Sequence, residues 1–283
     1  MHKEDNRIRQ PEPHPPLPQP QPVLVLWADP HVSPVQAEQL AAELHIPLIR
    51  EEPEEQRLCL RLDANGLALG CSDMAVRHMV RADFSQLLPR IQTQRLPREL
   101  LVRAAKMRTA RNSPPIAIDA SAGLGEDAFL LAAAGFAVEL CEHNPIIAAL
   151  LEDGLHRAKA DAALARICSR MQLYRGDSIT YLHELQDQQH QSISPAPDLI
   201  FLDPMFPARQ KSAKVKKKLQ LLQMIEQPCM DEEALLQAAL AARPKKVVIK
   251  RPLKGPNLAG IKPSYVIAGK AVRYDCLLVR TEP

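Results

Sequence analysis

The feature that most restricts the fold of this chain is a regular alternation of short apolar strands and helices from Pro115 onward. The predicted strands are Ile116–Asp119, Ala137–Glu142, Met171–Tyr174, Leu199–Leu202 and Lys245–Lys250. Such alternation is typical of a parallel sheet, because a helix supplies the crossover that parallel neighbours need. The pattern therefore predicts an α/β fold with a doubly wound sheet, which binds ligands beyond the carboxyl ends of its strands.

Helices, a loop and a terminal hairpin complete this pattern. Helices are predicted over Glu126–Ala134, Pro145–Ala160 and Asp231–Ala242, and a polar loop is predicted over Asp187–Pro197. The strands Tyr265–Ala268 and Arg273–Val279 flank Gly269-Lys270 and predict a hairpin at the end of the sheet.

The N-terminal part of the chain divides into three segments. Residues 1–22 are predicted to be a disordered tail, since seven of the twelve positions 11–22 are proline. Residues 23–88 are predicted to be a small α/β domain, with a strand at Val23–Trp27, a helix at Ser33–His45 and a hairpin of Arg57–Leu62 and Leu67–Gly70. Residues 89–283 form the larger domain, which begins with a basic amphipathic helix at Pro97–Thr109.

Composition excludes several classes of protein. Hydrophobic residues make up 46% of the chain, which predicts a buried core, yet the longest apolar run, Ala128–Val138, is far shorter than the roughly 20 residues of a membrane helix. The charged N-terminus precedes prolines instead of an apolar segment, which predicts a cytoplasmic protein without a signal peptide. The six cysteines lack C-x-x-C spacing and nearby histidines, so we expect reduced, mostly buried thiols and no metal site.

A glycine-rich turn follows the strand that ends at Asp119, in the sequence DASAGLGEDA. Gly123 and Gly125 let the backbone approach a ligand closely, and the helix that follows offers free N–H groups. The spacing also fits the G-x-G-x-x-G/A motif of NAD-binding proteins, but the acids Glu126 and Asp127 would repel a pyrophosphate there. Asp119 suits a ligand with an ammonium group, such as S-adenosylmethionine (SAM). An ordinary turn with capping acids is the alternative.

Two further strand ends carry candidate cofactor ligands. Glu142 ends the second strand, where a carboxylate can accept hydrogen bonds from both ribose hydroxyls, and His143 beside it could flank the adenosine. Asp177 and Ser178 follow the third strand, where a short polar side chain can reach the adenine amino group. The same pair is also typical of a helix N-cap.

The most specific motif is Asp203-Pro204-Met205-Phe206, after the fourth strand. An acid, a proline, a variable residue and an aromatic form the pattern of enzymes that methylate exocyclic amines. The Asp203 carboxylate and the Pro204 carbonyl would hold the amine in line with the methyl group and stabilise its developing positive charge. Phe206 would stack on an extruded base. The alternative is a proline-rich turn with a buried Phe.

A run of six cations without an acid follows this motif directly. It spans residues 209–218 and comprises Arg209, Lys211, Lys214, Lys216, Lys217 and Lys218. A charge run is commonly a solvated face, but its position beside the presumed reactive centre predicts contacts with RNA phosphates.

Three stretches of the chain closely resemble the ribosomal RNA small subunit methyltransferase J family. They are DASAGLGEDAFLLAAAGFAVELCEHNPIIAALLEDGL, FLDPMFPARQKSAKVKK and VVIKRP, within roughly residues 115–279. The resemblance implies a class I SAM-dependent methyltransferase, with a Rossmann-like, mostly parallel sheet, a C-terminal antiparallel hairpin and a small N-terminal domain. It also implies methylation of N2 of a guanine in 16S rRNA, with the rRNA or the small ribosomal subunit as partner.

The resemblance also implies a set of cofactor contacts. They fall at Glu126, Asp127, Glu142, His143, Asp177, Ser178 and Asp203. The chain departs from the family by Glu126 and His143, where arginine is usual, and by a basic segment at Arg90–Arg98 that has no glycine. Two alternatives stay open: a methyltransferase for another RNA or amine, and a non-catalytic RNA-binding or assembly factor on the same fold. The modified nucleotide and the oligomeric state stay open as well.

Overall fold

A computed structural model describes residues 24–51, 57–72, 79–107, 113–204, 221–222, 224–225 and 231–279. The proline-rich tail at residues 1–22, Phe206 and the basic run at residues 209–218 lie outside the described residues.

The described residues of the N-terminal part form a four-stranded sheet and an α-helix. Its elements are β1 (Val25–Ala28), α1 (Pro34–Leu44), β2 (Leu48–Ile49), β3 (Leu58–Asp63) and β4 (Gly66–Cys71). The strands lie in the order β2-β1-β3-β4, with β3 and β4 as the antiparallel hairpin that the sequence predicts around Asn65-Gly66. Gly66 has φ +93°, a conformation that favours glycine.

The larger part contains a seven-stranded sheet flanked by helices. Its strands are β5 (Ile116–Asp119), β6 (Ala137–Glu142), β7 (Met171–Arg175), β8 (Leu199–Leu202), β9 (Lys246–Pro252), β10 (Tyr265–Ala268) and β11 (Val272–Leu278). Its helices are α2 (Leu100–Ala105), α3 (Glu126–Ala133), α4 (Pro145–Ala160), α5 (Ala165–Cys168), α6 (Ser178–His190) and α7 (Glu232–Ala241).

The strand order in this sheet is β10-β11-β9-β8-β5-β6-β7. Strands β5 to β9 run parallel, whereas β11 pairs antiparallel with both β9 and β10. The order reverses between β5 and β8, so the two chain paths diverge there and leave a crevice at the carboxyl edge. This confirms the predicted Rossmann-like sheet with a C-terminal antiparallel hairpin.

The four-stranded sheet packs against α4 of the larger part. Asp153 Oδ2 accepts a hydrogen bond from the backbone N–H of Leu67 (3.0 Å), and Arg157 donates to the carbonyl of Ala82 (2.6 Å). Arg175 forms ion pairs with Glu43 of α1 and Glu152 of α4. These contacts join the two parts, and the domain boundary between residues 88 and 89 stays a prediction.

Two sequence-based expectations for secondary structure are wrong. The basic helix is not continuous from Pro97, because residues 96–98 form a 3₁₀ turn, Glu99 is extended and α2 ends at Ala105. The expected loop over Asp187–Pro197 is wrong in its first turn, since α6 continues to His190. In this turn Gln189 donates a hydrogen bond to the carbonyl of Ala242 (3.1 Å), just past the end of α7, and this tertiary contact supports a helix that the polar composition did not predict.

The sequence also predicts that the cysteines are mostly buried and that the chain has no membrane helix. Cys59, Cys141, Cys168 and Cys276 are buried, as expected, and Cys71 is partly exposed. Within the described ranges, no helix combines the length and the apolar character that crossing a membrane requires.

Candidate active site

The register of the large sheet places four charged side chains on one face of its carboxyl edge. Residue 203 follows Leu202, which pairs with Ile249, so Asp203 and Lys250 are neighbours beyond β8 and on β9. Asp119 and Glu142 end β5 and β6. Side chains alternate between the two faces of a strand. All four therefore point to the same face of the sheet as the core residues that pack against α3.

The glycine turn lies between these strand ends. Gly123 and Gly125 have φ +54° and +76°, which only glycine adopts readily. A Cβ on Gly125 would come within 2.8 Å of Leu151 Cδ1, whereas a Cβ on Gly123 would meet no atom within 4 Å. Gly125 thus allows close packing of the turn on α4, and Gly123 borders open space at the crevice.

Glu142 is 4% exposed and braces the glycine turn. Its Oε2 accepts a hydrogen bond from the N–H of Gly123 (2.9 Å), and its Oε1 accepts one from the N–H of Asn144 (2.8 Å). Burial raises the pKa of Glu142, while the backbone N–H groups and nearby His143 oppose that rise. Each oxygen keeps a second lone pair, so Glu142 can still accept from a ribose diol while it holds the turn.

Replacing Glu142 with alanine is therefore expected to weaken SAM binding by roughly tenfold to a hundredfold. The change removes a charged acceptor, worth about 1.5–3 kcal/mol, and leaves the Gly123 N–H without its partner. Calorimetric titration with SAM measures the effect. Glu139→Ala is the matched control, because Glu139 lies on the same strand and faces the opposite side of the sheet. Equal affinities for the wild type and Glu142→Ala would remove Glu142 from the site.

Ser121 connects the glycine-rich turn to the motif that begins at Asp203, a role that the sequence analysis missed. Its Oγ accepts a hydrogen bond from the N–H of Asp203 (2.7 Å) and donates to Asp119 Oδ1 (3.4 Å). Asp119 also accepts from the N–H of Ser121 (3.1 Å). Burial, with the negative charge of Asp127, raises the pKa of Asp119 to about 8. Ser121 therefore fixes the start of the Asp203-Pro204 segment against the end of β5.

Lys250 is the second residue that sequence reasoning missed, although it lies within the VVIKRP stretch. Its Nζ donates to Asp127 Oδ2 (2.6 Å) and to Asp203 Oδ2 (2.8 Å). Burial acts to lower the pKa of Lys250, but Asp127 and Asp203 outweigh it and raise that pKa. Burial and Asp127 raise the pKa of Asp203, whereas Lys250 lowers it. The ammonium thus connects the start of α3 to the motif that begins at Asp203.

The other predicted cofactor ligands lie at the same edge but are more exposed. Asp177 is exposed and caps α6, accepting from the N–H of Thr180 (2.8 Å), which agrees with its N-cap reading. Ser178 is the first residue of α6 and is partly buried. His143 is exposed, with Nδ1 3.7 Å from Glu142 Oε1, and Glu126 is exposed in the first turn of α3.

The segment that contains Phe206 and the basic run is described only at its two ends. Pro204 is buried beside Asp203, and Leu221 and Leu222 are buried in the apolar cluster shared by α4 and the four-stranded sheet. Asn144 donates from Nδ2 to the carbonyl of Ile225 (2.6 Å). Both ends of the segment are therefore attached near the carboxyl edge.

The donor set fits SAM as the cofactor. The crevice has open space over Gly123, acids at Asp119 and Asp203 that would face the two cationic groups of SAM, and Glu142, which would accept from its ribose diol. Acids in the first turn of α3 disfavour a dinucleotide pyrophosphate. Fold and site together define a SAM-dependent methyltransferase of the class I, Rossmann-like type.

Comparison with known proteins identifies the family. The profile of the family described as "Putative SAM-dependent methyltransferase" matches residues 40–279. A protein of Thioalkalivibrio sulfidiphilus named ribosomal RNA small subunit methyltransferase J is 41% identical over 242 residues, covering 85% of this chain and 91% of that protein. The protein of the same name from Marinobacter nauticus is 37% identical over 92% of this chain and 93% of its own length.

A solved structure agrees with these matches. The crystal structure of a SAM-dependent methyltransferase from Neisseria gonorrhoeae superposes with a TM-score of 0.67 at 25% identity, covering 92% of this chain and 98% of that one. The chain belongs to the ribosomal RNA small subunit methyltransferase J family, and SAM is its cofactor.

Proposed function

We propose that this protein transfers the methyl group of SAM to the exocyclic N2 of a guanine in 16S rRNA. The observation that carries the proposal is the position of Asp203-Pro204, directly after β8 and one strand away from Asp119 at the crevice. Relatives that are similar to this chain over most of its length are named as methyltransferases of small-subunit ribosomal RNA. We infer the same substrate here.

The reaction needs an exocyclic amine to attack a methyl carbon, although its lone pair is delocalised into the ring. Bound SAM supplies that carbon, activated by its sulfonium. The Asp203 carboxylate and the Pro204 carbonyl accept hydrogen bonds from the two amine protons and hold N2 in line. Positive charge develops on N2 as the N–C bond forms and the S–C bond breaks, and Asp203 stabilises it. The amine then loses one proton to solvent past Asp203.

Two basic segments adjoin the site residues along the chain and support an RNA substrate. Arg90 makes a two-pronged pair with Glu99 (2.9 and 2.8 Å), and Glu99, together with Asp127 and Glu126, raises the pKa of Arg90. The basic lead-in segment thus borders the start of α3. The six cations at residues 209–218 follow Asp203 in the chain, so both segments can contact phosphates on either side of an extruded base.

The test uses small ribosomal subunits and bare 16S rRNA from a strain that lacks the gene. Wild-type protein and SAM carrying a labelled methyl group are added, and digested RNA is analysed by mass spectrometry. We expect one labelled N2-methylguanosine per 16S rRNA. Label in another nucleotide would contradict the assignment to guanine N2, but would still show that the protein methylates RNA. RNA binding without any label would favour the non-catalytic assembly factor.

A further inference from the structure

We propose that Lys250 is a positioning residue that holds the Asp203 carboxylate as an anion, oriented toward the amine that is methylated. The inference rests on the proposed function, because it assigns Asp203 to the amine. It adds a residue on β9 to a site that the motifs place only on β5, β6, β7 and β8.

The sheet itself brings Lys250 to this position. Strands β8 and β9 are parallel, and Leu202 pairs with Ile249, so the next residue on each strand, Asp203 and Lys250, stand side by side. Lys250 Nζ lies 2.8 Å from Asp203 Oδ2 and 2.6 Å from Asp127 Oδ2. With Oδ2 bonded to the ammonium and the backbone N–H of Asp203 bonded to Ser121, the Asp203 side chain has its other oxygen available for a substrate amine.

Titratable groups from several neighbouring elements lie around Lys250. Asp127 belongs to α3, Asp203 follows β8, and Asp119 ends β5, where burial, Asp127 and Asp203 raise its pKa. Tyr274 of β11 pairs with Lys250 across the sheet, and the more distant Arg90 adds positive charge. Asp127 and Asp203 therefore share one ammonium, and Asp119 is a nearby acid whose pKa is raised to about 8.

Loss of the ammonium changes the protonation of this cluster at neutral pH. Asp119, with a pKa of about 8, already holds a proton at neutral pH, so Asp127 and Asp203 are the two carboxylates that share the ammonium. Without a cation between them, these two neighbouring carboxylates cannot both stay ionised, and the pair takes up a proton. A protonated Asp203 is a poorer acceptor for the amine and cannot offset positive charge on N2. An opposite charge at this distance lowers an Asp pKa by about 1–3 units, so its removal raises the pKa of Asp203 by that amount.

The experiment compares pH profiles of single-turnover methylation at saturating SAM and RNA. Lys250→Met is expected to shift the acid limb of the profile upward by about 1–3 pH units and to slow transfer at pH 7 about tenfold or more. Its KM for RNA is expected to stay near the wild-type value. In Lys250→Met/Asp127→Asn one carboxylate charge is removed as well, so the acid limb is expected to move back toward the wild type.

Lys246→Met is the matched control. Lys246 lies on the same strand and face as Lys250, but its Nζ donates to the carbonyls of Ala104 (2.9 Å) and Lys106 (2.7 Å), at the end of α2. Its loss removes a buried ammonium without removing a partner of Asp203. We expect lower thermal stability and an unchanged acid limb. A merely structural role for Lys250 would make the two variants behave alike, which would overturn the proposal.

A second measurement does not depend on the RNA substrate. Carbon-13 NMR of protein labelled at the Asp carboxyl carbons follows the titration of Asp203, assigned by its absence in Asp203→Asn. The Asp203 signal is expected to titrate at higher pH in Lys250→Met than in the wild type, and an unchanged midpoint would overturn the proposal. If the wild type methylates no RNA while this midpoint shifts, the proposed function fails and the Lys250–Asp203 coupling stands.

Discussion

Replacing Asp203 with alanine is expected to slow methyl transfer by about 10²–10³-fold at saturating SAM and RNA. A charged acceptor aimed at the nitrogen stabilises positive charge that exists only as the new bond forms, and removal of one such group typically costs that factor in kcat. Asp203 is placed for this role by its backbone bond to Ser121 and its side-chain bond to Lys250. Single-turnover methylation isolates the step.

Binding measurements separate this effect from a loss of structure. RNA affinity should change little in Asp203→Ala, because the side chain contributes a negative charge and no phosphate contact. Asp203→Asn keeps an acceptor oxygen and loses the charge, so its rate should fall between those of the wild type and the alanine variant. A wild-type rate for Asp203→Ala would show that the Asp203-Pro204 motif is only a structural turn.

Neutralising Lys214, Lys216, Lys217 and Lys218 together is expected to weaken RNA binding strongly and to flatten its salt dependence. Each lysine that contacts a phosphate releases a counterion on binding, so each lost contact flattens the salt dependence by up to about 0.7–0.9 log unit in affinity per log unit of salt. The basic run begins six residues after Asp203 in the sequence, which is the reason for expecting it to contact the RNA. Titration of labelled rRNA fragments at several salt concentrations measures the slope.

A second charge-reducing variant provides the control for this prediction. Lys159, Arg166 and Arg243 are exposed at the amino edge of the large sheet, since α4 ends there and β9 begins there. Changing these three residues to glutamine should leave the salt dependence of RNA affinity nearly unchanged, even though three positive charges are removed. SAM affinity should be the same in both variants and the wild type. If the four lysine changes leave the salt slope unaltered, RNA binds to another surface of the protein.

Local sequence patterns were sufficient for most of the fold. Strand β5 is bounded as predicted because Ile116–Asp119 is a short apolar run followed by a glycine turn, and α4 begins as predicted because Asn144 caps it and Pro145 suits its first turn. Failures occurred where packing outweighed composition. Polar residues beyond Asp187 stay helical in α6, and the basic helix is interrupted near Glu99.

The ends of the strands could also be predicted from the sequence. Most residues of the candidate site could be predicted in the same way, because they lie at these ends. Asp119, Glu142 and Asp203 each follow or end an apolar run, and parallel strands bring such ends to one edge. This reasoning needs only the type and order of elements. The roles of Phe206 and of the six cations stay predictions, since they lie outside the described residues.

The sequence by itself determined most of the strands and helices, which residues end the strands of the site and that these ends carry acids suited to SAM. Only the tertiary structure decided how those ends are joined: Lys250 reaches Asp203 across 47 residues of chain, and Ser121 reaches it across 82. The physical reason is that local propensity sets an element, whereas strand order and register follow from burial of the whole sheet. A lysine on β9 becomes part of the site only because β9 pairs with β8 in that register.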